Sequence, residues 1–270
     1  VRAIVTADSV TALGDEVRGA VLVAGSHGGR IAGYYAARAG AHAVILNDAG
    51  VGRDAAGIAG LADLEAIGMA AATAAHSSAR IGDGADLLAR GRVSHVNAVA
   101  AACGVAAGMA VRDAAVRLTG ARAPHTAPHA YTEGRTRLAP GPPEVWGLDS
   151  LGLLLDEDAG RILVIGSHGA LHGGRPESAL AVAARAAVFN DAGIGADGAG
   201  LTRLPVLAAR GIPAATVDCM SARIGDCRSM WATGVISAVN ALAQAAGARP
   251  GRTVADFVAC IAGRSSRTGL

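Results

Sequence analysis

Short apolar runs closed by glycine-rich or polar turns alternate along this chain with stretches whose apolar positions recur at helical spacing. Residues 3–7, 20–24 and 43–46 are runs dominated by Ala, Val, Ile and Leu, as buried strands are. Residues 31–39 and 56–67 read as helices, the second stopped by Gly68. Residues 70–75 fit a buried strand, although their alanines also suit a helix, and residues 93–103 read as an Ala-rich helix. Further along, residues 162–165, 187–189 and 214–217 repeat the strand pattern. Strands alternating with helices predict an α/β fold with parallel sheets, flanked by helices and joined by right-handed crossovers. The longest nearly apolar stretch, 98–111, falls short of the roughly 20 residues of a membrane span.

The polar positions repeat more faithfully than the apolar ones. Asp8-Ser9, Gly25-Ser26-His27-Gly28, Asn47-Asp48-Ala49-Gly50, Ser78-Ala79-Arg80-Ile81-Gly82-Asp83, Ser94 and Asn97 recur as Asp149-Ser150, Gly166-Ser167-His168-Gly169, Asn190-Asp191-Ala192-Gly193, Ser221-Ala222-Arg223-Ile224-Gly225-Asp226, Ser237 and Asn240. A repeat kept for packing alone would hold its apolar pattern and let polar loop residues drift. The expectation is therefore a tandem duplication, with α/β unit 1 over residues 1–120, a Pro-rich linker over 121–141 and α/β unit 2 over 142–270, the units related by a pseudo-twofold axis. His125, His129 and Glu133 lie in the linker, which acts either as a plain connector or as a lid over a site.

Composition narrows the picture. Hydrophobic residues make up 51% of the 270 and aromatics only 3%, so the core must be built from Ala, Val, Leu and Ile in close helix-to-sheet contact. A net charge of +2 with few aromatics argues against nucleic acid as a partner. All 24 basic residues are arginines, and the lack of lysine excludes Schiff-base chemistry and a Walker-type phosphate lysine. Cys103, Cys219, Cys227 and Cys260 form no CxxC pair, which predicts reduced thiols. Val1-Arg2-Ala3-Ile4-Val5 shows no leader pattern, so a cytoplasmic homo-oligomer without membrane contact is expected.

Three repeated motifs follow predicted strand ends, where an open parallel sheet forms its ligand crevice. In the first, the N–H groups of Gly28 and Gly29 could hold an anion, while Ser26 with His27, and His168 in the second copy, offer a hydroxyl and a general base. The plain alternative is a tight turn with Ser26 as helix cap. In the second motif Asp48 and Asp191 orient a histidine or act as bases beside Asn47 and Asn190, whereas Asp54 and Asp197 suit helix caps. In the third, Arg80 and Arg223 are forks suited to a substrate carboxylate, with Asp83 and Asp226 close by; the alternative is an Arg80–Asp83 pair that braces the turn. Ser78 and Ser221 are candidate nucleophiles or caps. Ser94 with Asn97, and Ser237 with Asn240, have the i, i+3 spacing of one helix face. His27, Asp48 and Asp83 are possible ligands for a divalent ion, but no HxH, HExxH or HxxE spacing accompanies them, so neither metal nor cofactor is expected.

Where the first copy has Arg53, His76, Ser77 and His95, the second has Ala196, Cys219, Met220 and Ala238, which directs the chemistry to unit 1. The expected protein is an enzyme of small-molecule metabolism acting on a small anionic substrate. Its first form is a hydrolase of an amide, lactam or ester, with His27 as acid or base, Asp48 orienting it, the backbone of residues 25–29 as oxyanion site, Arg80 on a carboxylate, and Ser26 or Ser78 as nucleophile. A cofactor-free lyase or isomerase is second, since the same groups serve proton abstraction beside a carbonyl. A non-catalytic ligand-binding protein is third. The layout of two like halves resembles the aspartate/glutamate racemases, pseudo-symmetric isomerases, but their cysteine in each half has no match, because Cys219 stands opposite His76.

Overall fold

The computed structural model describes residues 2–263. A first sheet holds β1 (Ile4–Ala7), β2 (Val21–His27), β3 (Ala43–Asn47), β4 (Ala70–Ala74) and β5 (Val93–Val96), in that spatial order. A second holds β6 (Arg135–Ala139), β7 (Val145–Leu148), β8 (Ile162–His168), β9 (Ala186–Asn190), β10 (Ala214–Val217) and β11 (Ile236–Val239), ordered β11-β10-β9-β8-β7-β6. Strands β1 to β4 and β7 to β10 are parallel to their neighbours. Three of the four edge strands are not: β5, β6 and β11 pair antiparallel, so the sheets expected to be parallel are mostly but not entirely so.

Alternation along each strand divides the core. In the first sheet Leu22, Val44, Leu46 and Ala71 pack against α1 (Arg30–Arg38) and α2 (Gly60–Ala66), while Val21, Val23, Ile45 and Ala72 face α3 (Gly84–Arg90), α4 (Ala98–Ala102) and α5 (Val111–Leu118). The second sheet likewise carries α6 (Arg203–Ala209) on one face and α7 (Cys227–Thr233), α8 (Ala241–Ala245) and α9 (Val254–Gly263) on the other. Strand β4, next to the edge, reads Ala-Ala-Ala-Thr-Ala and is fully buried, so the helices approach the sheet closely and many short contacts replace a few large side chains. Among the described residues no helix is long and apolar enough to cross a membrane.

Four local expectations change. Residues 93–103 are not one helix: β-branched Val93 and Val96 begin and end the edge strand β5, and Asn97 then caps α4 by accepting from Ala100 N–H. Ser94 therefore lies on a strand, 3.1 Å from Thr73 Oγ1, and shares no helix face with Asn97; Ser237 repeats this with Thr216 at 3.0 Å. Strand β2 runs through Gly25-Ser26-His27 instead of stopping before it, because the turn at Gly82 lies directly on Gly25, with its N–H 2.8 Å from Gly25 O. Between β8 and β9 no counterpart of α1 forms; Gly173 and Gly174 at positive φ and Pro176 allow only two 3₁₀ turns, His172–Gly174 and Pro176–Ser178. Strand β6 lies within the residues read as the linker.

Candidate functional site

The loops at the strand ends of the two sheets meet. Gly50 and Gly193 touch so closely that a Cβ on either would lie 3.0 Å from the other's Cα. Arg53 N–H donates to Cys219 O and Ala196 N–H to His76 O, each at 2.8 Å. Arg223 meets Asp54 at 2.9 Å and Arg80 meets Asp197 at 3.5 Å. Ala49, Ile81, Ala192 and Ile224 close an apolar contact between them.

Most repeated polar residues are tied to backbone or to one another. The Ser78 hydroxyl donates to Ala75 O at 2.7 Å and accepts from Arg92 N–H at 2.9 Å; Ser221 does the same with Asp218 O and Val235 N–H. Asn47 and Asn190 accept from the N–H two residues on, at 2.9 Å each. Asp83 and Asp226 cap α3 and α7. Arg80 meets Asp83 at 2.9 Å, Asp86 at 3.2 Å and Asp197, and Arg223 meets Asp226 at 2.8 Å as well as Asp54. Ser26 Oγ accepts from Val10 N–H at 3.0 Å and caps no helix. The Gly28 N–H donates to Asn47 O at 2.7 Å and the Gly29 N–H to His27 Nδ1 at 3.1 Å, so neither is open to an anion.

Asp48 does not reach His27 as an orienting group. Its Oδ1 accepts from the ring Nδ1 of His76 at 2.9 Å and from the N–H groups of His76 and Gly50. Burial alone would raise the Asp48 carboxyl, but these bonds from His76 outweigh it and hold it below the ordinary carboxylate value. The same bond raises His76 above the ordinary histidine value against the opposing effect of burial. At the matching place Asp191 Oδ1 accepts from Cys219 N–H at 3.0 Å; burial raises Asp191 and pushes the Cys219 thiol up to about 12. Among the described residues, the group whose ligand atoms lie within 4.8 Å of one another is Asp191, Asp218 and Cys219, and not the trio of His27, Asp48 and Asp83.

His27 and His168 instead face a chamber of about 40 Å³ that also takes in Ser26, Tyr35, Glu133 and His172. Each histidine accepts through Nδ1 from the backbone, His27 from Gly29 and His168 from Ala170 N–H at 3.3 Å, which leaves the proton of the neutral ring on Nε2. Burial pushes His27 down to about 4 and His168 well below its ordinary value, so both are uncharged at neutral pH. Each ring also packs against the other half's turn: a Cβ on Gly225 would lie 3.5 Å from His27 Cε1, and one on Gly82 would lie 3.4 Å from His168 Cε1.

Glu133 enters this chamber from the linker. Its Oε2 accepts from the Tyr35 hydroxyl at 2.5 Å, and its Oε1 is buried without a partner. Burial, reinforced by that hydrogen bond, holds the Tyr35 hydroxyl up to about 12, so Tyr35 remains a donor and fixes the carboxylate. Beyond His27 the chamber adjoins a cleft of about 240 Å³ walled by Arg30, Asp54, Tyr131, Arg223 and Asp226. Glu133 and Tyr35 escape a reading based on repetition because neither has a repeated counterpart; the available signal was a lone acid in a Pro-rich linker. Comparison with protein-family models, curated proteins and solved structures finds no match to this chain.

Proposed function

We propose that this chain is an enzyme that moves a proton at a carbon beside a carbonyl in a small carboxylate-bearing molecule, as a cofactor-free lyase or isomerase. The observation that carries the reading is the unpartnered, buried Oε1 of Glu133 in the chamber that neutral His27 also lines. A carboxylate there serves as base, and an uncharged imidazole bearing Nε2–H polarises the carbonyl without donating its proton outright. Glu133 takes the C–H proton, the C–H electron pair becomes the enolate C=C bond, and the carbonyl pair moves onto the oxygen that His27 Nε2–H binds. Return of the proton to another face or carbon completes an isomerisation; loss of a group from the neighbouring carbon completes an elimination. The chamber holds only the reacting atoms, and the adjoining cleft takes the rest. There Arg30, whose one carboxylate partner among the described residues is Asp63 at 2.6 Å, is open to a substrate carboxylate.

Hydrolysis through a serine nucleophile fits less well, because Ser26 and Ser78 bond to backbone and Asp48 orients His76. The reading also takes the two sheets as copies of one unit about a pseudo-twofold axis, supported by the reciprocal contacts of Arg53 with Cys219 and Ala196 with His76. Its acid–base pair is His27 of the first half and Glu133 of the linker. In the second half Leu171 O crowds Gly82, leaving the matching place filled.

The test is hydrogen–deuterium exchange followed by NMR on a panel of small 2-oxo acids, 2-hydroxy acids and lactams in deuterated water. Wild type should exchange or rearrange at least one oxo or hydroxy acid, and Glu133→Gln should lose about 100-fold or more with its fold retained. Exchange undiminished in Glu133→Gln, or lactam opening without deuterium incorporation, would overturn the reading.

A further inference from the structure

A second cavity lies apart from the histidine chamber. It lies between the outer side of α1, the loop through Gly40 and the linker segment 123–130, and has a volume of about 600 Å³, within the range of sites for drug-sized ligands. It shares no lining residue with the chamber or with the cleft beyond His27. The linker is pinned over it by His125 N–H, which donates to Ile67 O at 3.0 Å, and by the bond of His42 Nε2 to Ala121 O at 3.0 Å. One backbone bond and one side-chain bond thus hold the linker over the pocket.

Its walls are mostly apolar, but the charges on them have one sign. Arg2 and Arg38 line the cavity, and no Asp or Glu does. Arg38 lies 5.6 Å and 4.9 Å from the ring centroids of Tyr34 and Tyr35, and among the described residues neither Arg38 nor Arg2 pairs with a carboxylate. Burial, with Arg2 close by, keeps His42 below its ordinary value, so it adds no charge at neutral pH. Arg30, Arg80, Arg90 and Arg223, by contrast, each have a carboxylate partner. Two planar forks without acids beside a mostly apolar open pocket have the chemistry that recognises an organic anion with a hydrocarbon body.

We propose that this cavity is a second ligand site, for an amphipathic organic anion about the size of a medium-chain carboxylate, and that it works independently of the His27 chamber. The anion lies against Arg38 and Arg2, and the hydrocarbon occupies the space between Ala37 and the linker. Decanoate and the uncharged decanol serve as probes, measured by isothermal titration calorimetry on the full chain. Decanoate should bind saturably, one per chain, and decanol about tenfold or more weaker. The double variant Arg2→Gln/Arg38→Gln should bring decanoate down to the level of decanol, Ala37→Phe should exclude both, and His27→Gln should leave both unchanged. Circular dichroism confirms that each variant is folded. Absence of saturable decanoate binding, or binding indifferent to both the arginine and the Ala37 changes, overturns the proposal; loss of binding in His27→Gln overturns the independence of the two sites.

Discussion

At the scale of single residues, the histidines carry opposite pH signatures. His27 and His172 titrate at about 4 in the folded protein, chiefly through burial, against an ordinary value of 6.5. The unfolded chain therefore binds more protons between pH 6.5 and 4, and stability is lost as the pH falls through that window, by up to about 3 kcal/mol per histidine. His76 runs the other way: its folded value is raised by Asp48, so its contribution is complete below 6.5 and disappears as the pH rises through the folded value. Urea unfolding at a series of pH values should thus give highest stability near or slightly above 6.5. His27→Gln should flatten the acid limb and Asp48→Asn the alkaline one; an acid limb unchanged in both His27→Gln and His172→Gln would mean that these rings are hydrated and titrate normally. Much of the junction was legible in the sequence at this scale, because the repeated polar residues do gather there. Their roles were less so. A serine whose hydroxyl bridges Ala75 O and Arg92 N–H has the same one-letter signature as a nucleophile, and only the distance to a base separates them.

At the scale of elements, Asn97 and Asn240 explain why polar residues that recur along a sequence need not mean chemistry. Asn97 Oδ1 accepts from Ala71 and Ala100 N–H at 3.1 and 2.9 Å, and its Nδ2 donates to Met69 O at 2.8 Å and Leu61 O at 3.4 Å, joining β4, α4 and the ends of α2. Asn240 makes the matching bonds to Ala214, Ala243, Ile212 and Leu204. Replacing either by Ala leaves two N–H and two C=O groups buried without that partner, and should cost on the order of 3 kcal/mol in urea unfolding, with Asp the next worst substitution because it cannot donate. A loss below about 1 kcal/mol would show that water takes over these bonds. The strand and helix series was legible because apolar runs and glycine stops mark it. The edges were not: Val93-Ser94-His95-Val96 is too short for periodicity to separate strand from helix, and Asn97 reads equally as a cap or as a surface residue. The missing second α1 was hidden for another reason. Arg203, at the place where the first half has Gly60, is buried and bonds to the carbonyls of Ser178 and Ala179, so a long-range brace holds the loop that replaces the helix.

For the whole molecule, the decisive contact is the smallest one. Gly50 and Gly193 both have positive φ, +74° each, and each would place a Cβ 3.0 Å from the other's Cα, with Cys219 Sγ or His76 Cδ2 equally near. A methyl group at either position must push the two strand-end rims apart by a few tenths of an ångström, in addition to the strain of a left-handed Ala. Gly211 separates these effects, since its φ is +76° and nothing lies within 4 Å of its Cβ position. Gly211→Ala should cost only the backbone penalty, about 1 kcal/mol, whereas Gly50→Ala and Gly193→Ala should each cost about 2–3 kcal/mol. Because either methyl already opens the same contact, the double variant should cost less than the sum of the singles by about 0.5 kcal/mol or more. His27 and His168 each rest on a glycine of the opposite rim, so the same displacement loosens both rings and should bring their pH-dependent acid limb toward that of exposed histidine. If Gly50→Ala and Gly193→Ala instead match Gly211→Ala in both stability and pH profile, the rims are not held in contact and the chamber between them cannot be a fixed site.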